Sequence, residues 1–256
     1  MIKPSPLLDK KVLVPRGKKQ AKSFSQLVET FGGIPIEIPL IAFRPIQPND
    51  ELAAIFNNIK SYSWIIFTSN TTVDTFFSFL SKDEISHLPK IAVIGERTQK
   101  VVKEKGVEVS FLPSGYVAET FAKEFVSFIK EGDKIFIPKG NLARDVIAEE
   151  LRRFGTIVDE AIVYETYLPE ESRLKLADLL KRNELDILMF TSPSTVDHFM
   201  AVVEENHLRD QIKECMVACI GPVTKEKLKS YGLLVHASPK VYTVEAMIKS
   251  MAEYIN

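Results

Sequence analysis

The stretch Trp64-Ile65-Ile66-Phe67-Thr68-Ser69 decides the fold, because it joins a wholly apolar run to a polar turn. Four consecutive large apolar residues are typical of a parallel strand that is buried on both faces. Ser and Thr are frequent in turns and at helix N-caps, and the residues that follow have a helical period. The stretch therefore predicts a strand, a turn and a helix in succession, which is the building unit of α/β proteins.

This unit belongs to an internal repeat. Phe67-Thr68-Ser69 returns 123 residues later as Phe190-Thr191-Ser192, and three further patterns recur in the same order. The other repeated patterns are Val12–Gly17 with Ile135–Gly140, Gly32 with Gly155, and Ala92–Gly95 with Ala218–Gly221. Ordered repetition at a nearly constant spacing indicates a duplicated half. Strand, turn and helix repeated eight times predict an α/β protein with two parallel sheets and helices on both faces.

Two extended stretches fall outside the repeated units, residues 34–41 and residues 158–167. Pro35 and Pro39 exclude a central strand for the first stretch, since proline donates no ladder hydrogen bond. Both stretches stand at equivalent places in the repeat, which favours their pairing as a two-stranded connector. A simple tandem split near residue 124 is the alternative that the pattern leaves open.

Composition narrows the class of protein. A chain of 256 residues with 45% hydrophobic and 26% charged residues has the size of two globular domains and enough apolar residues for their cores. The net charge is −1 and no basic stripe occurs, so we expect no nucleic-acid partner. The N-terminus lacks the apolar core of a signal peptide, and no apolar run reaches the ~20 residues of a membrane span. We therefore expect a cytoplasmic protein without a membrane partner.

Several kinds of catalytic or cofactor motif are absent from the sequence. It contains no glycine-rich dinucleotide loop, no P-loop and no Gly-x-Ser-x-Gly elbow. The four histidines do not have the spacing of metal ligands, and Cys215 and Cys219 form neither a redox pair nor half of a zinc site. We predict no metal and no cofactor.

The candidate ligand site lies in the turns that follow the strands, where α/β sheets bind their ligands. Each turn leads into a helix N-terminus, whose free N–H groups and dipole favour carboxylates or phosphates. The candidate residues are Thr68, Ser69, Asn70, Gly95, Thr98, Thr191, Ser192, Ser194, Gly221 and Thr224. The alternative interpretation is that they are ordinary N-caps and turn formers.

Charged and aromatic residues supplement these turns. Arg16 and Lys139 follow a strand at equivalent positions, and Arg144 lies one helical turn after Gly140, so all three are candidates for binding an anion. Tyr164 is a candidate acid, because a phenol with a pKa of ~10 is protonated at neutral pH and donates to a leaving hydroxyl. A packing role is the alternative for Tyr164, and solvation is the alternative for the basic residues.

Taken in order, these motifs resemble the uroporphyrinogen-III synthase family over the chain from about residue 11 to the C-terminus. The resemblance is carried by the Thr-Ser turns, Ile94-Gly95-x-x-Thr98, Ile220-Gly221-Pro222-x-Thr224, Val163-Tyr164-Glu165-Thr166, and the loops from Pro113-Ser114 to Glu119 and from Pro239 to Glu245. The pattern departs from the family's at Thr72, where Ala is common, and at Ala143, where Gly is frequent.

The resemblance implies two similar flavodoxin-like domains joined by a two-stranded β connector. One domain would be discontinuous, with residues 1–37 and 168–256, and the other would be continuous, with residues 42–163. Residues 34–41 and 158–167 would be the connector strands.

The resemblance also implies an activity. The substrate would be hydroxymethylbilane, a linear tetrapyrrole polycarboxylate, and the product uroporphyrinogen III with ring D inverted. Tyr164 would donate the proton to the leaving hydroxyl, and Thr98, Ser192 and Thr224 would orient the substrate. We expect a monomer.

Two alternatives to an enzyme remain, a non-catalytic two-lobed binding protein for a polyanion and a regulatory flavodoxin-like module. A phospho-receiver of the latter kind would need clustered Asp residues after its strands.

Overall fold

The computed structural model describes residues 5–143 and 145–256. The chain divides into two compact units. Unit 1 is Met1–Ala42 with Tyr167–Asn256, and unit 2 is Phe43–Thr166. The protein is therefore built from one discontinuous and one continuous unit.

Strands and helices alternate along the described chain. The strands are β1 Lys11–Val14, β2 Ile34–Glu37, β3 Ala42–Pro45, β4 Trp64–Phe67, β5 Lys90–Val93, β6 Lys134–Gly140, β7 Ile157–Tyr167, β8 Ile187–Phe190 and β9 Met216–Cys219. The helices are α1 Lys18–Thr30, α2 Asp50–Asn57, α3 Asn70–Ser78, α4 Lys82–Ile85, α5 Glu96–Glu104, α6 Ala118–Phe125, α7 Val146–Arg153, α8 Glu170–Lys181, α9 Pro193–Glu205, α10 Pro222–Ser230 and α11 Val244–Ile255. Short 3₁₀ turns lie at Ile59–Ser61 and Val126–Phe128.

Each unit contains one sheet. The sheet of unit 1 has the order β2-β1-β8-β9, and that of unit 2 has the order β3-β7-β6-β4-β5. The pairs β1–β2, β1–β8, β8–β9, β4–β5, β4–β6 and β6–β7 are all parallel. The α/β fold predicted from the apolar runs is confirmed, with sheets in which parallel pairs dominate.

Strands related by the repeat occupy corresponding places in the two sheets. The order β2-β1-β8-β9 corresponds to β7-β6-β4-β5, and a further parallel bridge extends each series, Ala218 to Ala237 in unit 1 and Ala92 to Phe111 in unit 2. Each of these four-strand series thus combines two strands from the first copy of the repeat with two from the second. This exchange excludes a tandem split near residue 124.

The predicted two-stranded connector is wrong for residues 34–41. Within the described residues this stretch does not pair with 158–167. Its strand β2 pairs with β1, with Pro35 opposite Val12, at the edge of the sheet in unit 1. An edge strand tolerates prolines because the backbone positions on its outer side have no neighbouring strand to which an N–H would have to donate. The fully buried side chains of Ile38 and Leu40 hold the rest of the stretch in the core of unit 1, and β3 takes the place beside β7.

Alternate residues of the central strands pack on opposite faces of each sheet. In β1, Leu13 contacts one apolar cluster, and Val12 and Val14 contact the other. In β4, Ile65 and Phe67 pack on one face, and Trp64 and Ile66 pack on the other. Burial of one such side chain contributes about 1.5–3 kcal/mol. The two-sided burial holds the central strands in place, and their parallel pairing brings their carboxyl ends to one edge of each sheet.

Candidate functional site

The carboxyl ends of neighbouring strands lie side by side in unit 1. The N–H of Ile220, after β9, donates to the carbonyl of Phe190 at the end of β8, with a distance of 3.0 Å. The strand β1 pairs in parallel with β8, on the side of β8 opposite to β9. Arg16 follows the end of β1 and therefore lies at the same edge of the sheet. The structure therefore brings together the turn with Thr191, Ser192 and Ser194, the turn with Gly221 and Thr224, and Arg16.

The turn after β8 is an N-cap, as the sequence predicts. The Ser192 side chain accepts a hydrogen bond from the amide of Thr195 at 3.4 Å, and Pro193 is the first residue of α9. Pro193 has no N–H, and the Ser194 amide has no acceptor among the residues that the structure describes. Since helix N-termini leave their first amides unpaired, Ser194 offers a donor to an anion at this turn.

Thr191 is the most informative residue of this turn. Its side chain is buried, and its Oγ1 has no hydrogen-bond partner within the described residues. A buried hydroxyl left without a partner costs about 1–3 kcal/mol. Such a group is expected where a ligand or a water molecule supplies the missing hydrogen bond.

In unit 2 the corresponding turn follows β4. Ser69 caps α3 by accepting from the Thr72 amide at 3.1 Å, and the hydroxyls of Ser69 and Thr72 lie 2.7 Å apart. Thr72, which departs from the family pattern, therefore helps to fix the Ser69 side chain in its capping position. Thr68 is half-buried and Asn70 is exposed at the start of the helix.

Gly95 and Gly221 begin equivalent helices, α5 and α10. Both N-caps are extended, and neither supplies a side-chain cap to the first turn. The third residues of the helices, Thr98 and Thr224, are buried. Their hydroxyls make no hydrogen bond within the described parts of the chain, so both turns keep unused donors.

Tyr164 packs directly on Gly140. A β-bulge at Lys139/Gly140 brings Gly140 opposite Tyr164. A Cβ placed on Gly140 would lie 2.4 Å from Cζ and 2.7 Å from Oη of Tyr164. The ring also makes an edge contact with Phe43, with centroids 5.7 Å apart. The hydroxyl has no hydrogen-bond partner in the described chain and the side chain is half-exposed, so the phenol is free to donate to a ligand.

The predicted basic residues differ in their environments. The Arg16 guanidinium donates to Gln20 Oε1 at 2.6 Å, and burial lowers its pKa. Lys139 lies within β6, not after the strand as the sequence indicated, and its ammonium binds Asp145 at 2.6 Å and Glu160 at 2.9 Å. Although burial opposes it, these carboxylates raise the pKa of Lys139. Arg144 lies outside the described residues.

Glu160 links this ion pair to a second one. Its other carboxylate oxygen contacts Arg152 at 3.0 Å. A cleft of about 790 Å³ beside the network is lined by charges of both signs, among them Arg44, Glu51 and Glu165. The placement of Lys139 in this network favours a structural role over the predicted contact with substrate.

Two tyrosines at the strand-end turns, Tyr116 and Tyr242, were not predicted from the sequence. Both are largely exposed. The Tyr242 ring lies on Gly221, and the Tyr116 hydroxyl donates to Glu96 at 2.7 Å. They are separated by 126 residues, the separation of Gly95 from Gly221, so the repeat itself carried the signal that identifies them.

Two further observations concern the described residues as a whole. They contain no group of three or more His, Cys, Asp or Glu side chains arranged to hold a metal ion. No helix among them is both long and apolar enough to cross a membrane.

The fold and these turns define an α/β protein with two sheets dominated by parallel pairs, each of which presents open helix N-termini at the carboxyl ends of its strands. A family model described as uroporphyrinogen-III synthase HemD matches residues 22–249. The chain therefore belongs to the uroporphyrinogen-III synthase family, whose members are cyclising lyases of tetrapyrrole biosynthesis.

Individual proteins agree with this family. A putative uroporphyrinogen-III synthase of Methanocaldococcus jannaschii is 33% identical over 93% of this chain and 96% of its own length. The porphyrin biosynthesis protein HemD of Ruminiclostridium josui is 29% identical over 97% of this chain, but the chain spans about half (49%) of that relative's length. A crystal structure of a mutant uroporphyrinogen III synthase from Thermus thermophilus shares the fold, with a TM-score of 0.62, 16% identity, and coverage of 96% of this chain and 98% of that one.

Proposed function

We propose that this protein converts hydroxymethylbilane into uroporphyrinogen III, with loss of water and inversion of ring D. The observation that carries the proposal is the Tyr164 phenol, which has no partner among the described residues and is held against Gly140 at the ends of β6 and β7. Membership of the family supplies the reaction, and the helix N-termini supply donors for a polycarboxylate.

The reaction begins with departure of the terminal hydroxyl. Tyr164 donates its proton to that oxygen, the carbon–oxygen bond breaks, and the electron pair leaves with the water formed. The adjacent pyrrole nitrogen keeps its hydrogen, supplies electrons to the carbon and gives an azafulvenium cation. Ring D attacks this carbon at its substituted position, and the spiro intermediate then opens and closes again with the ring inverted. The last ring closure releases a proton that restores the phenol.

The enzyme's contribution is chiefly to position the substrate. Left in solution, the bilane closes without inversion, so the conformation that brings ring D into place must be held. We assign this task to the open amides and hydroxyls of the strand-end turns. They are Thr191, Ser192, Ser194, Gly221 and Thr224 in unit 1, and Thr68, Ser69, Asn70, Gly95 and Thr98 in unit 2. Arg16 adds a positive charge in unit 1.

We further propose that each unit is a flavodoxin-like domain, with the boundaries near those implied by the family resemblance. Counting its strands along the chain, unit 1 has the order 2-1-3-4, with Ala237 bridging next in line, and the order 2-1-3-4-5 is that of flavodoxin. The repeat extends the same reasoning to unit 2. That the protein is monomeric and acts in the cytoplasm stays a prediction.

The test is to incubate the purified protein with hydroxymethylbilane and to separate the products as oxidised porphyrins. We expect isomer III in excess over isomer I, at a rate proportional to protein concentration. Isomer I alone, at the rate of the protein-free reaction, would contradict the proposal and favour a non-catalytic binding protein.

A further inference from the structure

We infer that two repeat-related helix ends have different roles: the start of α10 receives one carboxylate-bearing pyrrole ring of the substrate against Tyr242, whereas the helix dipole at the start of α5 is already compensated by the protein's own Glu96. This inference rests on the proposed function and names the place where one substrate ring binds. It gives the α10 turn a contact with a pyrrole ring that the equivalent α5 turn does not make, although both turns keep donors for the substrate.

Tyr242 is held at the start of α10 by contact with backbone. A Cβ on Gly221 would lie 3.1 Å from Cδ1 and 3.3 Å from Cγ of Tyr242, so the ring packs on the glycine that begins the helix. The side chain is nevertheless 62% exposed. One part of the ring is therefore fixed by the protein while much of its surface is open to solvent.

The surroundings of Tyr242 are apolar and open. Val223, in the first turn of α10, is 71% exposed, and Val241, next to Tyr242 in the chain, is 64% exposed. Exposed apolar groups beside unpaired amides suit a ligand that has both an apolar ring and a negative charge. A pyrrole with carboxylate side chains is such a ligand, because its ring packs against an aromatic face and its carboxylates accept from amides.

The first turn of α10 leaves its donors unused. It contains no acidic residue, and the amides of Val223 and Thr224 have no acceptor within the described residues. Thr224 is also buried, with its hydroxyl unpaired in the same part of the chain. The positive end of the helix dipole is thus uncompensated by the protein, and a substrate carboxylate would supply the missing charge.

The start of α5 differs in its charge and in the position of its tyrosine. Glu96 is the first residue of the helix, so a carboxylate already complements its dipole. The Tyr116 hydroxyl donates to Glu96 Oε1 at 2.7 Å. A Cβ on Gly95 would meet no atom within 4 Å, so the Tyr116 ring does not cover Gly95 as Tyr242 covers Gly221. The helix dipole of α5 is therefore compensated by the protein's own acid, and its tyrosine is hydrogen-bonded to that acid, whereas within the described residues the first-turn donors are as open as those of α10.

The test compares Tyr242→Ala with its matched control, Tyr116→Ala. Binding is measured by titrating each protein with uroporphyrin III, a stable porphyrin with the carboxylates of the proposed product, and KM is measured with hydroxymethylbilane. Loss of an aromatic stacking partner weakens binding about 10-fold. We expect that change for Tyr242→Ala in both Kd and KM, a smaller change for Tyr242→Phe, and less than a two-fold change for Tyr116→Ala.

Failure of this inference is distinguishable from failure of the proposed function. Equal losses in the two alanine variants, an unchanged Kd for Tyr242→Ala, or no binding of the porphyrin to the native protein would overturn the inference. If the native protein forms no isomer III but still binds the porphyrin through Tyr242, the proposed function fails and the inference stands. Circular dichroism and Tm confirm that the variants are folded, since neither ring belongs to a core cluster.

Discussion

Gly140 and Tyr164 are packed so closely that no side chain fits between them: a methyl group on Gly140 would lie 2.4 Å from Tyr164 Cζ. Such a distance is far below van der Waals contact, so Gly140→Ala must move the ring. Moving it takes the phenol away from its place at the ends of β6 and β7. The glycine is therefore part of the apparatus that positions the proposed acid.

The first prediction concerns Gly140→Ala. We expect kcat for isomer III to fall by about 10- to 100-fold, because an ångström of misplacement is costly in a positioned reaction. Overpacking should also lower the free energy of unfolding by about 1–3 kcal/mol. Steady-state kinetics and urea unfolding measure the two effects.

A double-mutant cycle is the control. If Gly140 acts through the phenol, Gly140→Ala should add little to the loss of kcat already caused by Tyr164→Phe. Fully additive losses in a folded protein would show that Gly140 has a role of its own.

The second prediction concerns Tyr164→Phe. This change keeps the ring and its contacts with Gly140 and Phe43 but removes the donor. General acid assistance is worth about 10²–10⁴-fold in rate. We expect a loss in that range for isomer III, with spontaneously formed isomer I then dominating the products, and a Tm close to that of the native protein. Formation of isomer III at the native rate would show that the phenol only packs.

The sequence predicted what is encoded locally. An apolar run before a polar turn identifies a buried strand wherever it occurs, and the turns with Ser192 and Gly221 do lead into the helices α9 and α10, as predicted. These features follow from neighbouring residues and need no knowledge of the rest of the fold.

What the sequence left undetermined depends on partners far along the chain. Whether β1 pairs with β8 or with a strand of its own half is decided by tertiary packing, which local pattern does not show. Residues 34–41 looked equivalent to residues 158–167, but burial of Ile38 and Leu40 in unit 1 made β2 an edge strand. Lys139 likewise looked like a free cation because Glu160, its partner, comes from another strand.

A third prediction separates binding from stability at Thr191. Thr191→Val removes a buried hydroxyl that has no partner in the described residues, so the free protein should become more stable by about 1 kcal/mol. The same change removes a donor to the substrate, and KM for hydroxymethylbilane should rise. Chemical denaturation and steady-state kinetics give the two quantities.

Thr195→Val is the matched control for Thr191. The Thr195 hydroxyl donates to the Ser192 carbonyl at 2.6 Å, so its loss should destabilise the protein by about 1 kcal/mol. A Thr191→Val protein that is also less stable, with an unchanged KM, would mean that the hydroxyl is satisfied within the folded protein and has no ligand.

The last prediction tests Lys139 as a structural residue. Its side chain is 18% exposed and that of Glu160 is 13% exposed, so removal of the ammonium leaves a largely buried carboxylate with Arg152 as its remaining partner. We expect Lys139→Met to lower the free energy of unfolding by about 1–3 kcal/mol and to leave KM within about two-fold of the native value.

The pKa of Lys139 is raised in the folded protein, so its contribution to stability is fully present below the unfolded pKa of about 10.4 and is lost as pH rises through the folded value. Lys139 also lowers the pKa of Asp145, and that contribution is lost as pH falls below the ordinary range of an aspartate. The stability difference between native and Lys139→Met proteins should therefore be largest near neutral pH and shrink at both extremes. A difference that is independent of pH, together with a KM raised ten-fold or more, would return Lys139 to the substrate site.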